Sequence, residues 1–517
     1  MRNFPHIQKI TGRGRVAKLF VMVILLSAAF LWAPPGTETV QAASSGIGTD
    51  TDEVIIADEA LLFGGGFADE EDEAALFGGG WFADEAALFG GELDDEAALF
   101  GGGTGFITEI SMDASAISPE EELLTASGVE IGGDFSFSLD SSWFWQDGKK
   151  FLSQLNKPTS SALSTGLRAT IYLDARPDRD YRVFAKAKIS HPFSVKRYDD
   201  PGEQDREFHD VLRITELFAD FHHKDEVFFR AGKQKISWGV GYFFSPADII
   251  NLTAINPEDP EADREGPVAL KINKPVKSHN TYLYILAEEA EKPGDIGVAP
   301  KAEIVFKTTE LGLGAYYRQG RKPSAMATIS SSLGKVALFG EAVVKFGSDK
   351  NFLKADPPGI GAVIYRREDE LFYSGTAGFM YTHSDDDGLF NMTAAAQYYY
   401  NGEGYDDPRF VWSTAPLLMV QGKLTAGDLA EVSKHYAAAM LSWQEVLKSD
   451  LSANLFWLGD LSGQTGYVTG SLAYSPVKKI TTTFGVSYSY GAPGGQFTVL
   501  GNNTSLFFKV ALGSGRF

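Results

Sequence analysis

The chain has 517 residues, a formal net charge of −22 and no cysteine. The absence of thiols excludes disulfides, cysteine–metal sites, a lipid-anchored cysteine and a thiol nucleophile. No basic domain is present that could hold nucleic acid, and the length suits two or three ordinary domains, or one large barrel with an appendage.

Residues 1–42 read as a cleaved signal peptide. Arg2, Lys9, Arg13, Arg15 and Lys18 form a cationic start, an apolar run covers 19–33, and Val40-Gln41-Ala42 offers a small-residue cleavage site. No stretch of the chain reaches the ~18 to 20 apolar residues of a spanning helix.

Residues 43–125 are an acidic, low-complexity tail, expected to lie in the periplasm. They hold 21 Asp/Glu and no Lys or Arg, so nearly all the net charge sits there. An octad that starts Asp-Glu-Ala and ends Leu-Phe-Gly-Gly begins at Asp58, Asp72, Asp84 and Asp95. The spacing is too irregular and too short for a solenoid, whose units run to ~20 residues or more, and one helical turn per copy is not stable alone. Two readings follow. The tail is a self-repelling spacer, or its Leu-Phe pairs, with Phe63, Phe77, Phe89 and Phe100, dock into a periplasmic partner protein and gain avidity from four weak sites. Upstream, Asp52-Glu53-Val54-Ile55-Ile56-Ala57 resembles the energy-coupling box of TonB-dependent receptors, but the tail cannot supply the plug domain those receptors carry.

Residues 126–517 alternate between apolar and polar. In 165–176, Leu167, Ala169, Ile171, Leu173 and Ala175 share one side and Arg168, Thr170, Tyr172, Asp174 and Arg176 the other. Arg182, Lys186 and Lys188 then oppose Val183, Ala185 and Ala187, and Thr482, Phe484, Val486 and Tyr488 oppose Thr483, Gly485 and Ser487. Small or polar residues on one face, apolar residues on the other and aromatics such as Tyr398-Tyr399-Tyr400 near strand ends suit strands with one face in lipid. The expectation is an all-β protein: a transmembrane antiparallel β-barrel of about 16 strands, within 14 to 18. An even number leaves both termini in the periplasm. The terminal Phe517 matches the aromatic by which the barrel-assembly machinery recognises its clients, with a bulge near Gly513 or Gly515 to correct its phase.

One block, Arg230–Pro275, departs from the alternation. It runs through Trp238-Gly239-Val240-Gly241-Tyr242 to Ser245-Pro246-Ala247-Asp248, which spells a short helix start. Asn256-Pro257-Glu258-Asp259-Pro260 signals a turn, and a strand begins near Val268. The residues Gly232, Gln234, Ser237, Trp238, Gly239, Asn256, Pro257, Asp259, Gly266 and Pro267 resemble a Gly-Arg-Gln, Ser-Trp-Gly, Asn-Pro-x-Asp, Pro-Gly series in a family of Gram-negative, porin-like outer-membrane barrels. Lys233 stands where that family has arginine, and Gly-Pro replaces Pro-Gly. The resemblance covers about 45 residues; it implies an outer-membrane barrel and no particular substrate. The block is either a constriction lined by Arg230, Lys233, Lys235, Trp238, Asp248, Asp259, Arg264 and Glu265, or an outer loop held against the rim by its Trp, Pro and paired charges.

None of the seven histidines after the signal sits in a nucleophile or metal motif, so neither enzyme activity nor a cofactor or metal is expected. The sequence points to a passive outer-membrane channel for small solutes, in contact with outer-membrane lipid and open to oligomerisation. Arg168, Arg176, Arg182, Lys186 and Lys188 favour anions unless lumen acids such as Asp174 pair with them. The competing reading is a surface adhesin or structural barrel whose function resides in loops at 192–210, 349–370 and 402–432.

Overall fold

The computed structural model describes residues 128–513, apart from 147–150, 152–154, 156, 179, 191–211, 225, 263, 289, 357–360, 385–388, 478 and 500. The signal, the acidic tail with its Phe-containing octads, and Phe517 lie outside the described residues.

The strands are β1 (Gly128–Trp145), β2 (Ser160–Asp178), β3 (Tyr181–Ser190), β4 (Leu212–His223), β5 (Val227–Lys233), β6 (Val268–Val276), β7 (His279–Leu286), β8 (Gly297–Phe306), β9 (Thr309–Tyr316) and β10 (Ser324–Leu333). They continue with β11 (Val336–Phe346), β12 (Phe352–Asp356), β13 (Gly361–Tyr365), β14 (Leu371–His383), β15 (Asn391–Tyr400), β16 (His435–Gln444), β17 (Leu451–Asp460), β18 (Thr465–Val477), β19 (Ile480–Gly491) and β20 (Thr504–Gly513). Eighteen of them form one antiparallel sheet in chain order, and β20 pairs back onto β1, with Asp140 opposite Lys509. The sheet is therefore closed and has no free edge, which is the condition for crossing lipid with strands.

The barrel has 18 strands, two more than the central sequence estimate. Turns at one end are shorter than that estimate assumed: Lys277, Lys307 and Lys479 each take a left-handed φ in a connection of two residues. β12 and β13 pair only with each other and are no part of the barrel sheet.

Register fixes the two faces. Ile171, Leu173, Leu217, Leu313, Ile329, Leu338, Leu455 and Phe484 point outward and are exposed, as a lipid-facing surface requires. Asp140, Thr170, Asp174, Arg182, Asp220, Thr328, Glu341, Gln397 and Asn454 point inward and are buried. The short turns share one end with Gly128 and Gly513. In outer-membrane barrels short turns face the periplasm and long loops the exterior, so the described chain enters and leaves on the short-turn side.

Two long loops fold on themselves. The β11–β14 connection carries the β12–β13 hairpin, and the β15–β16 connection carries helices α1 (Arg409–Val420) and α2 (Ala426–Leu429). Leu353 of the hairpin packs with Val411, Trp412, Ala415, Leu418 and Leu429, a small apolar core of its own. Both stretches read from sequence as plain loops.

Candidate functional site

The connection from β5 to β6 turns into the barrel and packs on inward-facing wall residues. Trp238 is fully buried, edge-on to Tyr284 of β7 and among Ala299 and Met326. Farther along, Phe243 meets Phe456 of β17, and Phe244 stacks on Tyr399 of β15 near Tyr436 of β16. Near its far end, the Glu258 carboxylate accepts a hydrogen bond from the Tyr467 hydroxyl of β18. The segment thus reaches from the β6–β8 wall to β18.

Two wall side chains hold it by its main chain. Glu341 of β11 accepts from the amides of Val240 and Gly241, both at 2.6 Å, from Ala247 at 2.8 Å and from the Ser245 hydroxyl at 2.9 Å. Gln397 of β15 accepts from the amides of Tyr242 at 3.1 Å and Phe243 at 2.7 Å, and its own amide donates to the Phe244 carbonyl at 2.5 Å. A buried donor stripped of its partner is costly. Lys301 of β8 adds a bond to the Trp238 carbonyl at 3.2 Å.

The motif residues acquire physical roles. A Cβ on Gly239 would lie 1.7 Å from the Ser245 hydroxyl and 2.5 Å from Glu341, and one on Gly241 would lie 1.9 Å from the Phe244 carbonyl. Only glycine lets the chain approach its two anchors. Gly266 is likewise pressed against Gln234, whose buried amide donates to the Ala269 carbonyl at 3.0 Å. Asn256 accepts from the Glu258 amide and bridges Asp259, closing the expected turn. Ser237 is exposed and Pro267 fully buried. The expected helix at 245–248 is a single turn instead, with the Asp248 amide bonded to the Ser245 carbonyl. Glu341 takes both the Ser245 hydroxyl and the Ala247 amide that a helix start would have used.

The eight block residues do not share one place. Arg230 faces inward and binds Asp220. Lys233 has the outward phase, opposite Leu217 and Val268, and pairs with Glu265. Asp248 and Arg264 pair inside the folded segment, where Asp248 also accepts from Asn251 at 2.6 Å. Asp259 is buried and Lys235 partly so.

Arg168, Arg176, Arg182, Lys186 and Lys188 all take inward positions on β2 and β3. Arg182 sits at the centre of a ladder, 2.8 Å from Asp174 and 3.2 Å from Asp220. Arg176 reaches the same Asp174 at 2.7 Å, and Arg230 the same Asp220 at 2.6 Å. Arg182 and Arg230 also lie over the Phe218 ring, at 5.7 and 4.0 Å. Three arginines therefore share two aspartates. Over β2–β5 the inward positions carry seven Lys/Arg against three Asp/Glu.

The two folded loops are tied together by Asp428. Its carboxylate accepts from the amides of Asn351 at 2.6 Å and Thr425 at 2.9 Å, and from both side chains. Burial works to raise this carboxyl, but those donors outweigh it and hold it below the ordinary carboxylate value. A depressed folded pKa means the contribution is whole above the unfolded value of about 3.9 and fades as pH falls through the folded one. The protection of the Asn351 amide, its exchange relative to the free amide at the same pH, is expected to fall only below about pH 4, and Asp428→Asn should abolish that fall; protection already reduced at pH 6 would contradict the assignment.

No family model matches the chain, and no curated protein is similar to it in sequence. Among solved structures it is similar to Pseudomonas aeruginosa OpdK crystallised with vanillate, at 9% identity and a TM-score of 0.40, over 75% of this chain and 99% of that one. It is similar to Acinetobacter baumannii OccAB1 at 9% identity and a TM-score of 0.42, over 77% and 99%. It is also similar to a Rhodopseudomonas blastica porin triple mutant at 10% identity and a TM-score of 0.36, over 75% and 100%.

Proposed function

We propose that the protein is an outer-membrane channel through which small solutes diffuse passively, with a mild preference for anions. The observation that carries the reading is the β5–β6 segment held inside the barrel by Glu341 and Gln397. A segment so placed narrows a lumen and sets what passes it. It needs no cofactor. The resemblance of the Gly232–Pro267 block to porin-like barrels supports the same class.

Planar-bilayer recording of the purified full chain tests this: discrete openings are expected, and a silent barrel would overturn the channel. The anion preference rests on the excess of basic residues along β2–β5. In a salt gradient the reversal potential should lie on the anion side. Arg182→Gln should move it toward zero, because Asp174 and Asp220 then keep one arginine each; an unmoved potential refutes the role.

The folded β11–β14 and β15–β16 loops favour a second reading, in which the barrel anchors a surface-binding or structural element. That reading predicts a silent barrel in the same recording. The acidic tail is proposed to dock a periplasmic protein through Phe63, Phe77, Phe89 and Phe100; unchanged pull-down of envelope proteins after deletion of 50–105 would eliminate docking. Recognition of Phe517 by the assembly machinery belongs to the same set of proposals.

A further inference from the structure

Among the described residues the outward face carries an apolar concavity. Val298, Pro300, Ala315, Ala325, Val344, Phe346 and Leu371 take outward positions at the loop ends of β8–β11 and β14, and they line an open cleft of about 530 Å³ whose walls are almost wholly carbon. Tyr317 and Pro323 form its upper edge. The five residues between them, Arg318-Gln319-Gly320-Arg321-Lys322, contain three cations and no acid. Among the described residues no ion pair engages those three side chains. Lys322 lies along Gly347, next to the cleft residue Phe346. The Lys322 amide donates to the Asp349 carboxylate at 3.3 Å, which leaves the loop with three cations against that one acid. An outward apolar recess at the long-loop end beneath such a loop is complementary to one ligand chemistry: acyl chains below, phosphate above.

We propose that this cleft binds lipid A, the phosphorylated, multiply acylated lipid of the outer leaflet, with one acyl chain in the recess and a phosphate against Arg318, Arg321 and Lys322. The position selects the outer leaflet, since every strand residue that lines the cleft lies at the long-loop end of its strand. The charge argues against a second copy meeting this patch face to face, because two copies of the Arg-Arg-Lys loop would then repel. The inference rests on the outward face meeting lipid and is independent of whether the barrel conducts.

The test is lipid retention by the full-length protein, purified in mild detergent from a lipid A-containing outer membrane and examined by native mass spectrometry. About one lipid A per barrel is expected to survive detergent exchange. Ala325→Trp, which fills the recess from the lipid side, should abolish it. The triple change Arg318→Ala, Arg321→Ala and Lys322→Ala should weaken rebinding from lipid A nanodiscs by about a hundredfold, at roughly tenfold or less per cation. Far-UV circular dichroism and the heat-dependent gel shift should stay unchanged in both variants. A lipid-free wild type, equal retention by wild type and variants, or equal binding to phosphatidylglycerol nanodiscs overturns the proposal. Loss of an oligomer in the Ala325→Trp variant with no change in lipid would make the cleft a contact between copies and equally overturn it.

Discussion

Replacing Glu341 by alanine is expected to free the lumen segment and give the channel a larger, noisier conductance without unfolding the barrel. The wild-type carboxylate satisfies three amides and a hydroxyl in a closed environment. Each stranded donor costs about 1–3 kcal/mol, so even the low end removes more than roughly a hundredfold of the anchored population. The ladder hydrogen bonds of β10, β11 and β14 run through the main chain and survive the change. Glu341→Gln keeps one acceptor oxygen and should fall between the two. Single-channel recording decides: if Glu341→Ala matches wild type in conductance and noise, the segment does not control the pore.

The second large effect concerns the buried indole. Trp238→Ala leaves a cavity between Tyr284, Ala299 and Met326, at a cost of about 3–5 kcal/mol for a buried aromatic. The loss falls on the segment, because Tyr284, Ala299 and Met326 belong to strands already paired on both sides. Protease cleavage within 239–262 is expected to rise steeply while the heat-dependent gel shift that reports the barrel barely moves. Equal sensitivity of both signals would mean that the indole supports the whole fold.

Much of this was legible in the sequence. Alternation gave the closed barrel and assigned Arg168, Arg176, Arg182, Lys186 and Lys188 to one face, because strand side chains repeat every two residues. The strand number was short because two-residue lysine turns carry no strong turn signature. The Trp238–Pro267 block stood out through its glycines and prolines, but its anchors did not. Glu341 and Gln397 are single polar residues in ordinary strands, roughly a hundred and a hundred and fifty positions away in the chain, and no local pattern connects them to the amides they hold. The phase of Lys233 was readable in principle: it lies three residues from Arg230, and an odd separation in a strand means opposite faces. The Asp174–Arg182–Asp220 ladder needed the register of three strands, which alternation alone does not supply.

The anchoring of the lumen segment through peptide amides has a consequence for how this barrel can diversify. Glu341 and Gln397 recognise main-chain geometry and are indifferent to most of the side chains that the segment displays. Where the segment sits and what it shows to a passing solute are therefore separately adjustable. Side chains of the segment that do not pack on the wall can be exchanged for other chemistries while Gly239, Gly241 and the two wall residues keep the frame in place. The barrel is in that sense a fixed socket for an interchangeable segment.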